Sequence, residues 1–295
     1  HDRARSAGLI ASAGIIAPVI PPSIGFVIFG VAGNVSISKL FMAGIVPGIM
    51  LGASLWVTWW WLARRELVQV PPRKTLREIG VAMREATWAL VMPLIVVFGL
   101  KFGVFTPTEA AVVAAVYALF ISTCVYRELG LKDLYPLFVS AAKTSAVVMF
   151  LVAAAMVSAW LITVANLPAQ LIDILQPMLD SPRLLMFTIM VIIIVIGTAL
   201  DMTPTILLLT PVLMPVVKAA GIDPVYFGVL FIINCAIGLI TPPVGTVLNA
   251  VAGVGKISMD EVTRGVMPFM LAQFTIMFAM VAFPALVMVP ARWFY

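Results

Sequence analysis

The residues best able to do chemistry in this 295-residue chain sit where proline interrupts long apolar runs. Asp201 lies within the apolar stretch 184–218, which also carries Pro204, Pro211 and Pro215. A carboxylate at membrane depth is costly and by default marks a function. The same carboxylate would also cap a helix that starts beside it, accepting from the backbone near Thr203. The two roles are compatible. Pro21-Pro22 and Pro242-Pro243 interrupt two further apolar stretches, 7–33 and 224–253. Proline within a helix removes a hydrogen bond and clashes with the preceding turn. In lipid the freed carbonyls need other partners, so such breaks survive where they are buried or line a cavity. Helices restarting after Ser23, after Thr203 and after Pro243 would aim positive N-terminal ends at an anionic group, which suits a carboxylate ligand. Thr205, Thr246 and Asn249 offer hydroxyl or amide contacts to such a ligand; their plainer role is packing or satisfying backbone.

The elements that hold these residues are membrane helices. Of the chain, 63% is apolar and only 11% is Asp, Glu, Lys or Arg, against roughly 25% charged in soluble domains. Mean hydropathy is +1.14. So much apolar surface implies a polytopic, all-α membrane protein. Two cysteines, Cys124 and Cys235, cannot hold a four-thiolate cluster, and a single histidine argues against haem or zinc. The net charge of +5 does not indicate nucleic-acid binding. Spanning helices are expected over 41–63, 88–104, 107–126, 143–165 and 266–290. The stretch 71–87 opens with Pro71-Pro72-Arg73-Lys74. There Leu76, Ile79 and Met83 recur among Arg77, Glu78, Arg84 and Glu85, the pattern of an interfacial amphipathic helix. Residues 132–142 and 168–180 are weaker candidates for the same arrangement, and all three are otherwise ordinary connectors. Threading the spans puts Arg3, Arg5, Arg64, Arg65, Arg73, Lys74, Arg77, Arg84, Arg127, Lys132, Lys256 and Arg264 on one side, which is therefore cytoplasmic. The run 184–218 is treated as a re-entrant hairpin, and the C-terminus falls on the periplasmic side.

The chain repeats itself. Pro21, Pro22, Gly44 and Pro47 each recur 221 positions later (242 − 21) as Pro242, Pro243, Gly265 and Pro268. An Ile-Ser pair lies between them in both copies, at Ile37-Ser38 and Ile257-Ser258. The threading sends the copies across the membrane in opposite directions, the mark of an alternating-access transporter with its site at interrupted helices. The second copy has a hairpin upstream and the first has none, so a missing N-terminal portion is expected. The chain divides into a discontinuous first-repeat helix (1–33), scaffold and interfacial arm helices (34–180), the re-entrant hairpin (181–219), a discontinuous second-repeat helix (220–256) and a C-terminal spanning helix (257–295).

At these residues the chain resembles the large membrane subunit of the tripartite ATP-independent periplasmic (TRAP) transporters. The stretches that carry the resemblance are Ile20-Pro-Pro-Ser-Ile24, Phe41-Met-Ala-Gly-Ile-Val-Pro-Gly48 and Gly103-Val-Phe-Thr-Pro-Thr-Glu-Ala-Ala111. Asp201-Met-Thr-Pro204, Gly221-Ile-Asp-Pro224, Asn234 and Ile237-Gly-Leu-Ile-Thr-Pro-Pro-Val-Gly245 complete the set. The resemblance covers nearly the whole chain. It implies an elevator-type protein driven by a sodium gradient, without a resident cofactor. A soluble periplasmic binding protein delivers an organic acid, and a small four-helix membrane subunit braces the large one in the bacterial inner membrane. It also implies about 130 further N-terminal residues, including a first hairpin whose Ser-Gly-Ser tip is absent here. On this basis the first sodium site is expected at Ile20, Pro21 and Ser23. The second is expected where Ala199, Asp201, Met202 and Thr203 face Thr241, Pro242 and Gly245. Substrate would lie between the hairpin tips. Keto sugar acids fit the details of the resemblance best, with C4-dicarboxylates the other class.

The remaining polar and aromatic features have structural readings. Thr106-Pro107-Thr108-Glu109 reads as a helix start. Trp56, Trp59, Trp60 and Trp61 read as an aromatic belt, and Asn234 as a helix-to-helix hydrogen bond. Two other classes stay open: a membrane-embedded enzyme or respiratory subunit without its own cofactor, and a passive anion channel. The lack of a His/Cys metal set and of a phosphate loop weighs against the first. Paired inverted breaks weigh against the second.

Overall fold

The computed structural model describes residues 2–64 and 74–293. Arg65, Pro71, Pro72 and Arg73, used above, lie outside the described residues, as does the single histidine, His1. All regular structure among the described residues is helical. The first six helices are α1 (Arg3–Gly14), α2 (Ile24–Gly33), α3 (Ile37–Ala63), α4 (Leu76–Lys101), α5 (Pro107–Phe120), which ends in a π turn (Ile121–Val125), and α6 (Leu131–Val164). Then come α7 (Leu167–Leu179), α8 (Pro182–Gly197), α9 (Met202–Ala219), α10 (Pro224–Gly238), α11 (Thr246–Gly255), α12 (Met259–Ala282) and α13 (Ala285–Ala291). Six helices among the described residues, α3, α4, α5 with its π turn, α6, α9 and α12, are long and apolar enough to cross a membrane. The chain is a multi-pass, all-α membrane protein.

Local chemistry explains where helices begin. Ser23, Ser36, Asp201 and Asp223 cap α2, α3, α9 and α10 by accepting from first-turn N–H groups. Thr75/Glu78, Thr106/Glu109 and Ser258/Glu261 form reciprocal capping boxes at the starts of α4, α5 and α12. The expected helix start at Thr106 is thus present: Thr106 N–H donates to Glu109 Oε2 at 2.8 Å.

Three boundaries differ from expectation. Residues 76–87 are not a separate interfacial helix but the first half of α4. The change from charged to apolar residues near Trp88 is a change of surroundings, and nothing in the backbone there stops a helix. Residues 132–142 likewise run straight into α6, with Pro136 near its start. The C-terminal helix begins at Met259 rather than 266 and stops at Phe283-Pro284, where a short α13 follows. Residues 168–180 do form their own helix, α7, apart from α6.

The chain falls into two compact units, His1–Leu67 with Val152–Tyr295, and Val68–Leu151. In the smaller, α4 and α5 expose most of their apolar side chains, Leu90, Leu94, Phe98, Val112 and Val116 among them. A lipid environment solvates such faces.

In the larger unit α10 is the centre, with every residue from Val225 to Gly238 buried. Phe227 and Phe231 pack against Phe29 of α2, with ring centroids 6.0 and 5.6 Å apart. The repeat is visible in the helix starts. Helices α1, α2 and α3 begin at 3, 24 and 37, and α10, α11 and α12 at 224, 246 and 259, displaced by 221, 222 and 222. Asp2 and Asp223, also 221 apart (223 − 2), cap α1 and α10. Helices α2 and α11 both end on a left-handed residue, Asn34 (φ 52°) and Lys256 (φ 48°).

Contacts fix the directions. Gly265 meets Ala4 and Gly8, and Gln273 Nε2 donates to the Ser12 carbonyl at 3.1 Å, so α1 and α12 run parallel. Tyr226 Oη donates to the Met280 carbonyl at 2.9 Å, and Thr241 lies against Met270, so α10 and α12 run antiparallel. Helices α1 and α10, equivalent in the repeat, therefore point in opposite directions. The repeat is inverted. Arg3 Nη2 donates to the Gly255 carbonyl at 2.8 Å, which gathers Arg3, Lys256 and Arg264 at one end of the unit, as the charge asymmetry requires.

The α1–α12 crossing depends on glycine. A Cβ on Gly265 would collide with the Ala4 carbonyl, and one on Gly8 with the Gly265 backbone. Close helix approach in membranes uses such small residues. We expect Gly265→Leu to lower the yield of monodisperse protein severalfold in fluorescence-detected gel filtration. Gly52→Ala, whose Cβ would find its nearest neighbour at 4.0 Å, should leave that yield unchanged.

Candidate functional site

Three breaks in helix order create the site: 15–23 between α1 and α2, 198–201 between α8 and α9, and 239–245 between α10 and α11. Helix α8 runs parallel to α10. Pro182 and Tyr226 line one cavity at the outer end. Midway, Asn234 Nδ2 donates to the Met190 carbonyl at 2.7 Å, the interhelical bond expected of that asparagine. At the inner end Gly197 lies on Gly238, where a Cβ would stand 2.9 Å from the Gly197 carbonyl oxygen. This glycine contact delivers the hairpin tip to the second broken helix.

Tip and break meet here, and of the residues expected to face one another Ala199 and Gly245 line the shared cavity, whereas Asp201, Met202, Thr203, Thr241 and Pro242 do not. Gly197, Thr198, Ala199, Leu200, Gly238, Leu239, Val244, Gly245 and Thr246 line one small cavity. Its volume is about 10 Å³, room for about one water-sized particle. An organic acid does not fit within that volume. Gly245 sits at φ 44° and opens α11.

The named residues divide by their local roles. Asp201 caps α9: its Oδ1 accepts from Met202 N–H at 2.9 Å, and its side chain is exposed at the tip. Its carbonyl accepts from Thr205 Oγ1 at 2.8 Å. Thr205 is buried and tied to backbone, so its structural role is on view. Thr203 is half-buried in the first turn of α9. Ser23 is buried, accepts from Phe26 N–H at 3.2 Å and donates to the Pro18 carbonyl. Its hydroxyl thus serves the cap of α2 first. Ile20 lies against Gly48 of α3, and Pro21 is buried beside it. Thr241 Oγ1 donates to the Ile237 carbonyl at 2.8 Å, and Pro242 follows it half-buried. Thr246 lines the cavity, whereas Asn249 Nδ2 donates to the Val244 carbonyl at 2.8 Å and braces the loop.

Helix ends set the local field. Helix α9 runs along α2: Met202 reaches Gly25, and Thr210 and Met214 meet Gly33. The N-termini of α2, α9 and α11 thus gather around the hairpin tip. Each carries partial positive charge, favourable to an anion nearby. Sequence reasoning missed the buried pair Gln273 and Ser12, whose Oε1 and Oγ have no hydrogen-bond partner among the described residues. Gln273 is the lone amide in the run 266–290, and that signal was available. Of the four tryptophans read as a belt, Trp56, Trp60 and Trp61 are exposed, while Trp59 stacks on Phe269 at 6.2 Å.

Comparison with known proteins places this architecture. The family model described as "Tripartite ATP-independent periplasmic transporter, DctM component" matches residues 1–286. The chain belongs to this family. It is 56% identical over 289 residues to the 2,3-diketo-L-gulonate TRAP transporter large permease protein YiaN of Escherichia coli (strain K12), covering 98% of this chain and 68% of that protein. It is 38% identical over 277 residues to the sialic acid TRAP transporter large permease protein SiaM of Vibrio cholerae, covering 94% and 65%. It is 32% identical over 293 residues to the C4-dicarboxylate TRAP transporter large permease protein DctM of Pseudomonas aeruginosa, covering 99% and 69%. These relatives are named as transporter permeases, so this TRAP large permease chain is a transport protein and not an enzyme.

The Gly197–Gly238 contact makes a prediction. Cysteines at Thr198 and Val244, both lining the cavity, should cross-link readily with a short bifunctional reagent. Adding Gly238→Val should cut the yield severalfold, because the α8 end must lift away. An unchanged yield would show that the glycine pair does not set the tip's position.

Proposed function

We propose that this chain is the sodium-driven, elevator-type permease of a bacterial inner-membrane TRAP system, with its C-terminus periplasmic. The observation that carries the reading is the hairpin tip 198–201 set against the break 239–245 within an inverted repeat. A soluble periplasmic protein would deliver the organic acid, and a small membrane subunit would brace the large one. Keto sugar acid is the preferred substrate class, supported by the name and 56% identity of the diketogulonate relative. C4-dicarboxylate is the second.

Sodium is a hard ion that takes oxygen ligands. At the second site Ala199 would supply a carbonyl from the tip, and Thr241, Pro242 and Gly245 from the break. Met202 and Thr203, named in the sequence reading, stand in the first turn of α9, where their carbonyls point along the helix, so they would shape the tip and not ligate the ion. Asp201 would add charge without leaving its capping position. The small size of the cavity fits an ion alone. At the first site Ile20, Pro21 and Ser23 would act, with Ser23 contributing a hydroxyl lone pair beyond its two local bonds. The substrate carboxylate would approach the N-termini of α2, α9 and α11, near Thr205, Thr246 and Asn249. Of these Thr246 is the one placed on the cavity.

The direct test is uptake into proteoliposomes holding the full-length large subunit and its small partner, with cognate binding protein and labelled keto sugar acid. Accumulation against a gradient should need both inward sodium and the binding protein. Equilibration without accumulation would support a channel.

Asp201→Asn keeps a capping oxygen but removes the charge. We expect normal insertion and a roughly tenfold weaker sodium dependence, about 1.4 kcal/mol. Unchanged sodium dependence would remove Asp201 from the site. Pro21→Ala and Pro242→Ala should impair uptake more than insertion, since both favour a continuous helix over open carbonyls. Normal uptake by both would refute the broken-helix site.

A further inference from the structure

Within the unit Val68–Leu151, α4 and α5 run antiparallel. Tyr117 Oη donates to the Trp88 carbonyl at 2.8 Å, and Tyr126 Oη to the Glu85 carbonyl at 2.7 Å. Beside the second bond lies a cavity of about 310 Å³ lined by Val81, Arg84, Glu85, Trp88, Val125 and Tyr126. That size is at the lower end of small-molecule sites. The four α4 residues share one face, at spacings of three and four. Arg84 and Glu85 are exposed, and neither forms an ion pair with a described residue. The transport site described above uses none of these side chains.

Depth identifies the environment. From Arg84 to Lys101, α4 rises about 26 Å at ~1.5 Å per residue, close to the ~30 Å of a hydrocarbon core. With Lys101 at one face, Arg84 and Glu85 reach the headgroup layer of the other. Trp88 and Tyr126 are the amphipathic rings favoured at that level.

We propose that this groove binds the headgroup of one zwitterionic aminophospholipid, phosphatidylethanolamine, from the surrounding leaflet. Arg84 donates to the phosphate. The ammonium donates to the Glu85 carboxylate and to the Tyr126 phenol oxygen, whose own proton is already committed to the Glu85 carbonyl. Val81, Val125 and Trp88 flank the glycerol and the first acyl carbons. The adjacent opposite charges set the preference. A purely anionic headgroup would satisfy Arg84 but meet the Glu85 charge, and a choline headgroup has no N–H to donate.

The test is native mass spectrometry of the full-length large subunit with its small partner. It is supplied in turn with phosphatidylethanolamine, phosphatidylglycerol and phosphatidylcholine of identical acyl chains. The wild type should retain one phosphatidylethanolamine at least severalfold over the other two. Arg84→Gln should bring that retention down to the level of phosphatidylcholine. Glu85→Gln should erase the preference over phosphatidylglycerol. Both side chains are exposed, and gel filtration should show intact complexes. Equal retention of the three lipids by the wild type, or unchanged preference in both variants, would overturn the assignment.

Discussion

Backbone polar groups in hydrocarbon must find partners, and this constraint organises the molecule. The chain breaks its helices at 15–23, 198–201 and 239–245. All three breaks lie in the larger unit, where α10 is wholly enclosed. Each is held by local bonds that consume freed groups. Ser23 donates to Pro18 in the first, Thr205 donates to Asp201 in the second, and Asn249 donates to Val244 in the third. Glycine pairs then let whole backbones approach, Gly8 with Gly265 and Gly197 with Gly238. The breaks are thus built features that place backbone and helix ends around one point, rather than defects in spanning helices.

Inversion gives these breaks their meaning. Because α1 and α10 are equivalent and oppositely directed, the two Pro-Pro segments belong to related units read from opposite ends. On the proposed function, such an arrangement presents similar half-sites toward either side of the membrane. The family membership settles the class of protein. The sodium and substrate roles belong to the proposed function, which draws support from a small cavity at the tip and three positive helix ends nearby.

Much of this was legible in the sequence because the deciding signals are local. Pro21-Pro22, Pro242-Pro243 and Asp201 mark breaks through their own backbone chemistry. Thr106 and Glu109 announce a helix start across three residues. The offset of 221 exposes the repeat, and the capping pair Asp2 and Asp223 obeys it too. Other features were hidden for physical reasons. Helices α4 and α6 continue through a switch from polar to apolar surroundings, which a composition window reads as a boundary. Pro211 and Pro215 look like breakers, yet both lie within α9. The stop at Phe283 lies inside an unbroken apolar run, with Pro284 its only cue. Thr205 and Ser23 look free to bind ligand, but in the folded chain their hydroxyls first serve nearby backbone.

The central claim is that the two halves are one unit in opposite orientations. It is tested most directly by the sidedness of Asp2 and Asp223, the equivalent caps of α1 and α10. Single variants Asp2→Cys and Asp223→Cys would be made in the full-length complex, with Cys124 and Cys235 replaced by serine and alanine. A membrane-impermeant maleimide applied to right-side-out and inside-out vesicles should label Asp223→Cys from the periplasmic face and Asp2→Cys from the cytoplasmic face. Labelling of both from the same face would contradict the inverted arrangement and the proposed function built on it.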